Sequence, residues 1–270
     1  MQEGKQGLSS WFQGRSQWLI LTLAAVLTAV LINSCVSGFS SQNRSLYKPL
    51  DVYKPLDTSQ VVITSVYPDA GVEDFVREAL GEAISRYGQP RVPIHRVEVK
   101  AIDSKYAYTV LEDEQQGLFA IYMSRHPSEY GFWGLLAHET SHLLNAQFFD
   151  CYAEGLANLF GQEMLALNGL DRKGWEEYFN SNVDPFYSTT YFMVRELDAV
   201  IDADALRTLL KFTTDPDRSD PWMLVDINNW VESLSPEMGD RVRTVVTAHY
   251  NSVKNVIDTV DERYDCLAPK

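Results

Sequence analysis

The chain has 270 residues, 45% hydrophobic and 22% charged, with 6 Trp, 14 Tyr and 12 Phe; that mix excludes a disordered chain and supplies a core for one large domain or two small ones. Acidic residues number 37 against 23 basic ones, a formal net charge of −14 with no basic run, which argues against a nucleic-acid partner. Three cysteines are too few for a disulfide scaffold.

No charged residue occurs from Ser16 to Asn43, and Trp18 to Ile32 is an unbroken apolar and Thr run of fifteen residues preceded by Lys5 and Arg15. A membrane-spanning helix needs about 20 apolar residues, and signal-peptide cores are shorter. The run ends in Ile32-Asn33-Ser34-Cys35, which resembles the lipobox of bacterial lipoproteins. The resemblance implies removal of residues 1–34, lipidation of Cys35 and a membrane-anchored, exported domain. An uncleaved signal anchor and plain secretion are the alternatives, and all three export the C-terminal domain.

Residues 35–60, rich in Ser, Asn, Gln and Pro, are expected to form a flexible spacer, with the domain at 61–270. Val61 to Val66 has the β-branched content of a strand. Gly71 to Tyr87 sets Val72, Phe75, Val76, Leu80, Ala83 and Ile84 on one helical stripe, ended by Gly88-Gln89-Pro90. Val92–Ala101, Tyr106–Leu111 and Gly117–Met123 read as strands. From Gly131 onward the pattern is helical, with breaks near Asp150, 168–171, 180–185, 213–221 and Ser235-Pro236. The expected class is therefore α+β, a small mixed N-terminal sheet followed by a mostly helical half.

His138-Glu139-Thr140-Ser141-His142 is an HExxH motif. Residues four apart share one helix face, so both imidazoles can address one metal ion. Glu139 sits about 100° around the helix, where a carboxylate can reach a metal-bound water. The flanks Leu135, Leu136, Ala137, Leu143 and Leu144 bury such a helix. Catalytic zinc keeps three protein ligands and one open position, so a third ligand is expected.

Downstream, Tyr152-Ala-Glu154-Gly155-Leu-Ala157-Asn158-Leu-Phe is similar to the signature of the gluzincins, the thermolysin-like branch of HExxH zinc metallopeptidases, whose second helix carries a glutamate ligand. The resemblance implies Glu154 as third zinc ligand, with Gly155 and Ala157 letting the second helix approach the first. Glu163, nine residues on, lies on the opposite helix face, so the two cannot both face the metal. Tyr187 to Leu197 is similar to the family's oxyanion-tyrosine segment, which implies that role for Tyr187, with Tyr191 one turn later as the alternative. Thermolysin-type enzymes orient a ligand histidine with an Asp four residues after the glutamate; here that position is Asn158, and Asp150 is a possible substitute. The resemblance further implies an edge strand over the motif helix, assigned to Gly117–Met123, that pairs with extended substrate. The GxMEN segment of related aminopeptidases has no counterpart, which favours an endopeptidase acting on peptides or proteins. Glu139 is then general base and proton shuttle for a zinc-activated water. A non-catalytic zinc-containing surface or assembly domain of the same ancestry is the alternative.

His95, His126 and His249 do not sit at ligand spacing. With Cys35 lipidated, Cys151 and Cys266 are the remaining thiols; in an oxidising compartment they can bridge, or Cys151 can pack as a lone buried thiol.

Overall fold

The computed structural model describes residues 55–68, 71–145, 150–214, 224–260 and 264–270. The expected signal segment, Cys35 and the spacer up to residue 54 lie outside them. The end of that spacer belongs to the fold. Asp57 caps a 3-10 turn at Thr58–Gln60. Leu56 N–H donates to Gln89 Oε1 at 2.7 Å, and Arg77 Nη1 donates to Val61 O at 3.0 Å.

Four strands form one sheet in the order β1-β2-β4-β3: β1 (Val62–Ser65), β2 (Arg96–Ala101), β3 (Tyr108–Asp113) and β4 (Leu118–Met123). β1 and β2 are parallel, as are β2 and β4, while β3 runs antiparallel to β4. Helix α1 (Val72–Tyr87) makes the crossover from β1 to β2, burying Phe75, Val76, Ala79, Leu80 and Ala83 as its apolar stripe requires. It stops at Gly88, whose φ of 95° suits only glycine. β2 begins later than the expected Val92, because Pro90 and Pro93 have no N–H to donate to a ladder.

The apolar run of β4 marks an interior strand: Phe119, Ala120, Ile121 and Met123 are all buried, between the neighbours β2 and β3. The expectation that this strand offers its edge to a substrate is therefore overturned. The edges are β1 and β3, and it is β3, paired only with β4 among the described residues, that lies against α2.

Helices follow the sheet, making the class α+β as expected: α2 (Phe132–His142), α3 (Cys151–Leu167), α4 (Arg172–Asn180), α5 (Pro185–Val200), α6 (Ala203–Leu206), α7 (Ile227–Ser233) and α8 (Pro236–Val260). α2 packs on β3, β4 and α3; α3 lies against α5, and α5 against α8. Glycines bring these helices close, although not in the expected places. A Cβ at Gly161 would sit 2.7 Å from Gly134 O, so this pair closes α3 onto α2. Gly155 instead faces α5, where a Cβ would sit 2.6 Å from Thr190 O.

A disulfide joins Cys151 to Cys266, with 5.4 Å between their Cα atoms and a sequence separation of 115. It holds the C-terminal tail on the start of α3. Cys151 N–H donates to Asp265 O at 3.1 Å, and Tyr152 OH to Leu267 O at 2.7 Å. The lone buried thiol is thus excluded.

Candidate metal centre

Helix α2 places its polar residues inside the protein: His138 is 3% exposed and Glu139 4%. Thr140 and Ser141 satisfy their hydroxyls on Leu136 O and His138 O, which lets this polar turn be buried. The i, i+4 spacing brings His138 Nε2 within 3.1 Å of His142 Nε2. The first turn of α3 adds Glu154, whose Oε2 lies 3.2 Å from His138 Nε2 and 3.6 Å from His142 Nε2. Tetrahedral zinc with bonds of about 2.0–2.1 Å sets its ligand atoms roughly 3.3 Å apart. The three separations bracket that value.

Two further observations fit a metal ion. Glu154 Oε2 is buried without an aligned hydrogen-bond partner, a costly arrangement unless something binds it. Burial opposes the charge on Glu154, yet His142 and His138 outweigh it and hold the carboxyl down at about 2. Burial likewise disfavours the His142 cation, but Glu154 outweighs it and raises His142 to about 8. His138, His142 and Glu154 can hold a metal ion.

The orientation of His138 follows from Asn158. Asn158 Nδ2 donates to Tyr187 O at 3.3 Å, and a carbonyl can only accept, so Oδ1 must turn the other way. There it meets His138 Nδ1 at 2.9 Å. The acceptor places the proton on Nδ1 and leaves the Nε2 lone pair facing Glu154 and His142. Asp150 does not take this role. It caps α3 by accepting from Tyr152 and Ala153 N–H, and it accepts from Val225 N–H at 3.0 Å. Burial pushes its carboxyl up to about 7 against the pull of those three donors.

Glu139 Oε1 lies 3.9 Å from His138 Nε2. Burial raises its carboxyl and the two histidines pull it back. Thr109, on β3, donates to Glu139 O at 2.7 Å and lies 2.9 Å from Oε2. No sequence pattern marked Thr109, because only the sheet order brings β3 over α2. Tyr187 opens toward the site, its ring centroid 5.9 Å from that of His138. Tyr191 is fully buried and donates to Gln162 Oε1 at 2.9 Å, away from the ligands. Glu163 forms an ion pair with Arg86, away from the candidate ligands.

A cavity of about 190 Å3 reaches His138, Glu139 and Tyr187. Tyr106, Tyr130, Trp175, Tyr178 and Phe179 are among its walls, with Lys105 and Arg125. The candidate centre is therefore reached, at His138, from a cavity with aromatic walls. The other histidines lie elsewhere: His95 is exposed, His126 Nδ1 meets Ser128 Oγ at 2.8 Å, and His249 pairs with Glu196 at 2.7 Å. Comparison with protein-family models and with curated proteins finds no match to this chain.

Proposed function

We propose that the protein is a zinc-dependent peptidase that takes extended chains along β3. One observation carries this reading: Glu139, a carboxylate outside the set of three candidate ligands, lines a cavity together with one of them, His138. A structural zinc site is closed and has no use for a base beside its ligands.

His138, His142 and Glu154 would hold the zinc. Zinc bound there would supply Lewis acidity, lowering the pKa of a water toward 7 and polarising the scissile carbonyl. Glu139 takes a proton from the attacking water at its carboxylate and returns it to the leaving amine. The Tyr187 hydroxyl donates to the oxygen that becomes negative; one such donor is worth about 3 kcal/mol. The open edge of β3 can add a strand of substrate backbone, with Thr109 tying that strand to Glu139. The aromatic cavity receives a side chain beside the cleaved bond.

The export reading rests on the sequence alone. The Ile32–Cys35 segment supports a lipid-anchored protein, and a diacylglyceryl-modified Cys35 in a membrane-fraction mass spectrum tests it. The test of function is Glu139→Gln. Purified wild type should contain one zinc per chain and hydrolyse casein or a quenched-peptide library; the variant should keep zinc and lose hydrolysis. Wild type that holds zinc but cleaves nothing would instead establish a non-catalytic metal domain.

A further inference from the structure

The C-terminal tail reaches the metal centre at one point. Tyr264 OH lies 3.0 Å from Tyr187 OH. Tyr264 is only 7% exposed, and its ring stacks on Phe186 with centroids 4.1 Å apart and planes 20° apart. Phe186 and Tyr187 are neighbours in the first turn of α5, so the tail grips that turn by a ring and a hydroxyl together.

The tail is itself firmly placed. Two residues beyond Tyr264, Cys266 is bonded to Cys151, the first residue of the helix that carries Glu154. Asp265 O accepts from Cys151 N–H at 3.1 Å, and Lys254 Nζ reaches Asp265 Oδ1 at 3.3 Å. Tyr152 OH donates to Leu267 O, and Asn228 Nδ2 to Ala268 O at 3.2 Å. Residues 264–268 thus form a strap from the start of α3 to the start of α5, joining a ligand helix to the Tyr187 helix.

We infer that Tyr264 is a positioning residue, carried by this disulfide-locked strap, that fixes the Tyr187 hydroxyl at the metal centre. A phenol has one proton and two lone pairs. Without a partner the Tyr187 hydroxyl divides between two in-plane orientations and must be ordered during each reaction. A fixed Tyr264 hydroxyl that donates to the Tyr187 oxygen leaves the Tyr187 proton turned to the site beforehand, and preorganised donors are the ones that lower a barrier. The inference rests on the peptidase reading, since Tyr187 needs a developing oxyanion to serve.

The experiment is a double-mutant cycle on zinc-loaded, disulfide-intact protein with Tyr264→Phe, Tyr187→Phe and the pair, measuring kcat and KM on a quenched peptide. Tyr264→Phe keeps the ring on Phe186 and deletes only the hydroxyl. It should lower kcat about tenfold with KM and zinc content unchanged, the effect of one lost hydrogen bond in the transition state. Tyr187→Phe should lower kcat about 100-fold. The double variant should be no slower than Tyr187→Phe alone. An unchanged kcat in Tyr264→Phe overturns the inference, as does an effect that multiplies with that of Tyr187→Phe. Loss of zinc from Tyr264→Phe overturns it too. A second arm needs neither turnover nor that variant: in protein labelled with ζ-13C tyrosine, Tyr187→Phe should shift the Tyr264 Cζ resonance, and an unmoved resonance overturns the pairing. Inert wild type defeats the peptidase reading and this inference together; active wild type with an additive cycle defeats the inference alone.

Discussion

Asn158 Oδ1 meets His138 Nδ1 at 2.9 Å while the same amide donates to Tyr187 O, so one side chain orients a candidate metal ligand and anchors the turn that carries Tyr187. Partners of this kind are worth about 10- to 100-fold in metal affinity. Asn158→Ala should weaken zinc binding by that factor in chelator competition. Asn158→Asp should retain it, because a carboxylate still accepts from Nδ1. Equal affinity in Asn158→Ala and wild type would remove Asn158 from the centre.

Thr109 ties the edge strand to Glu139 by donating to its backbone carbonyl at 2.7 Å, with the hydroxyl 2.9 Å from the carboxylate. Thr109→Val keeps the shape and removes the bond, which is worth about 1 kcal/mol. The expected outcome is a fall in kcat of roughly fivefold with bound zinc unchanged, read by steady-state kinetics beside metal analysis. An unchanged kcat would show that the bond is only structural.

The Cys151–Cys266 disulfide closes a loop of 115 residues. Constraining so long a loop in the unfolded chain stabilises the fold by up to about 4.7 kcal/mol in the chain-entropy model. Paired urea titrations of native and reduced, alkylated protein should show the midpoint falling on reduction. Coincident curves would mean that the tail contacts alone hold the strap.

On the outer face of the sheet, the Lys100 ammonium hydrogen-bonded to Glu112 holds that carboxyl below its usual range; burial opposes this and Tyr122 OH adds to it. A carboxyl depressed in the folded state stabilises above its unfolded pKa, about 4.3, and loses that contribution as pH falls through the lower folded value. Both side chains are partly exposed, so the pair is worth about 0–1 kcal/mol. Glu112→Gln should be slightly less stable than wild type at pH 7, and the gap should narrow as pH falls below about 4.3. A gap that does not change with pH would point to packing.

Much of the centre was legible in one dimension because its parts are local. The HExxH spacing is a helical period, and four residues bring His138 and His142 to one face wherever that helix lies. The stripe of α1 and the apolar run of β4 were readable for the same reason, since period and hydrophobicity are properties of adjacent residues. A run like Gly117–Met123 announces burial, yet it does not say which neighbour flanks it. Sheet order made β3 an edge and set Thr109 over Glu139.

Tertiary packing likewise decided between candidates of equal chemistry. Tyr187 and Tyr191 share one helix face, but contact with α3 buries Tyr191 on Gln162 and leaves Tyr187 at the cavity. Asp150 and Asn158 both offered an oxygen to a histidine, and the backbone donors of Tyr152, Ala153 and Val225 claimed Asp150 first. The residue types and their helical spacing were thus determined by the sequence itself. Which of them meet across the chain was decided by the fold, because hydrogen bonds and packing between distant segments depend on where whole elements come to rest.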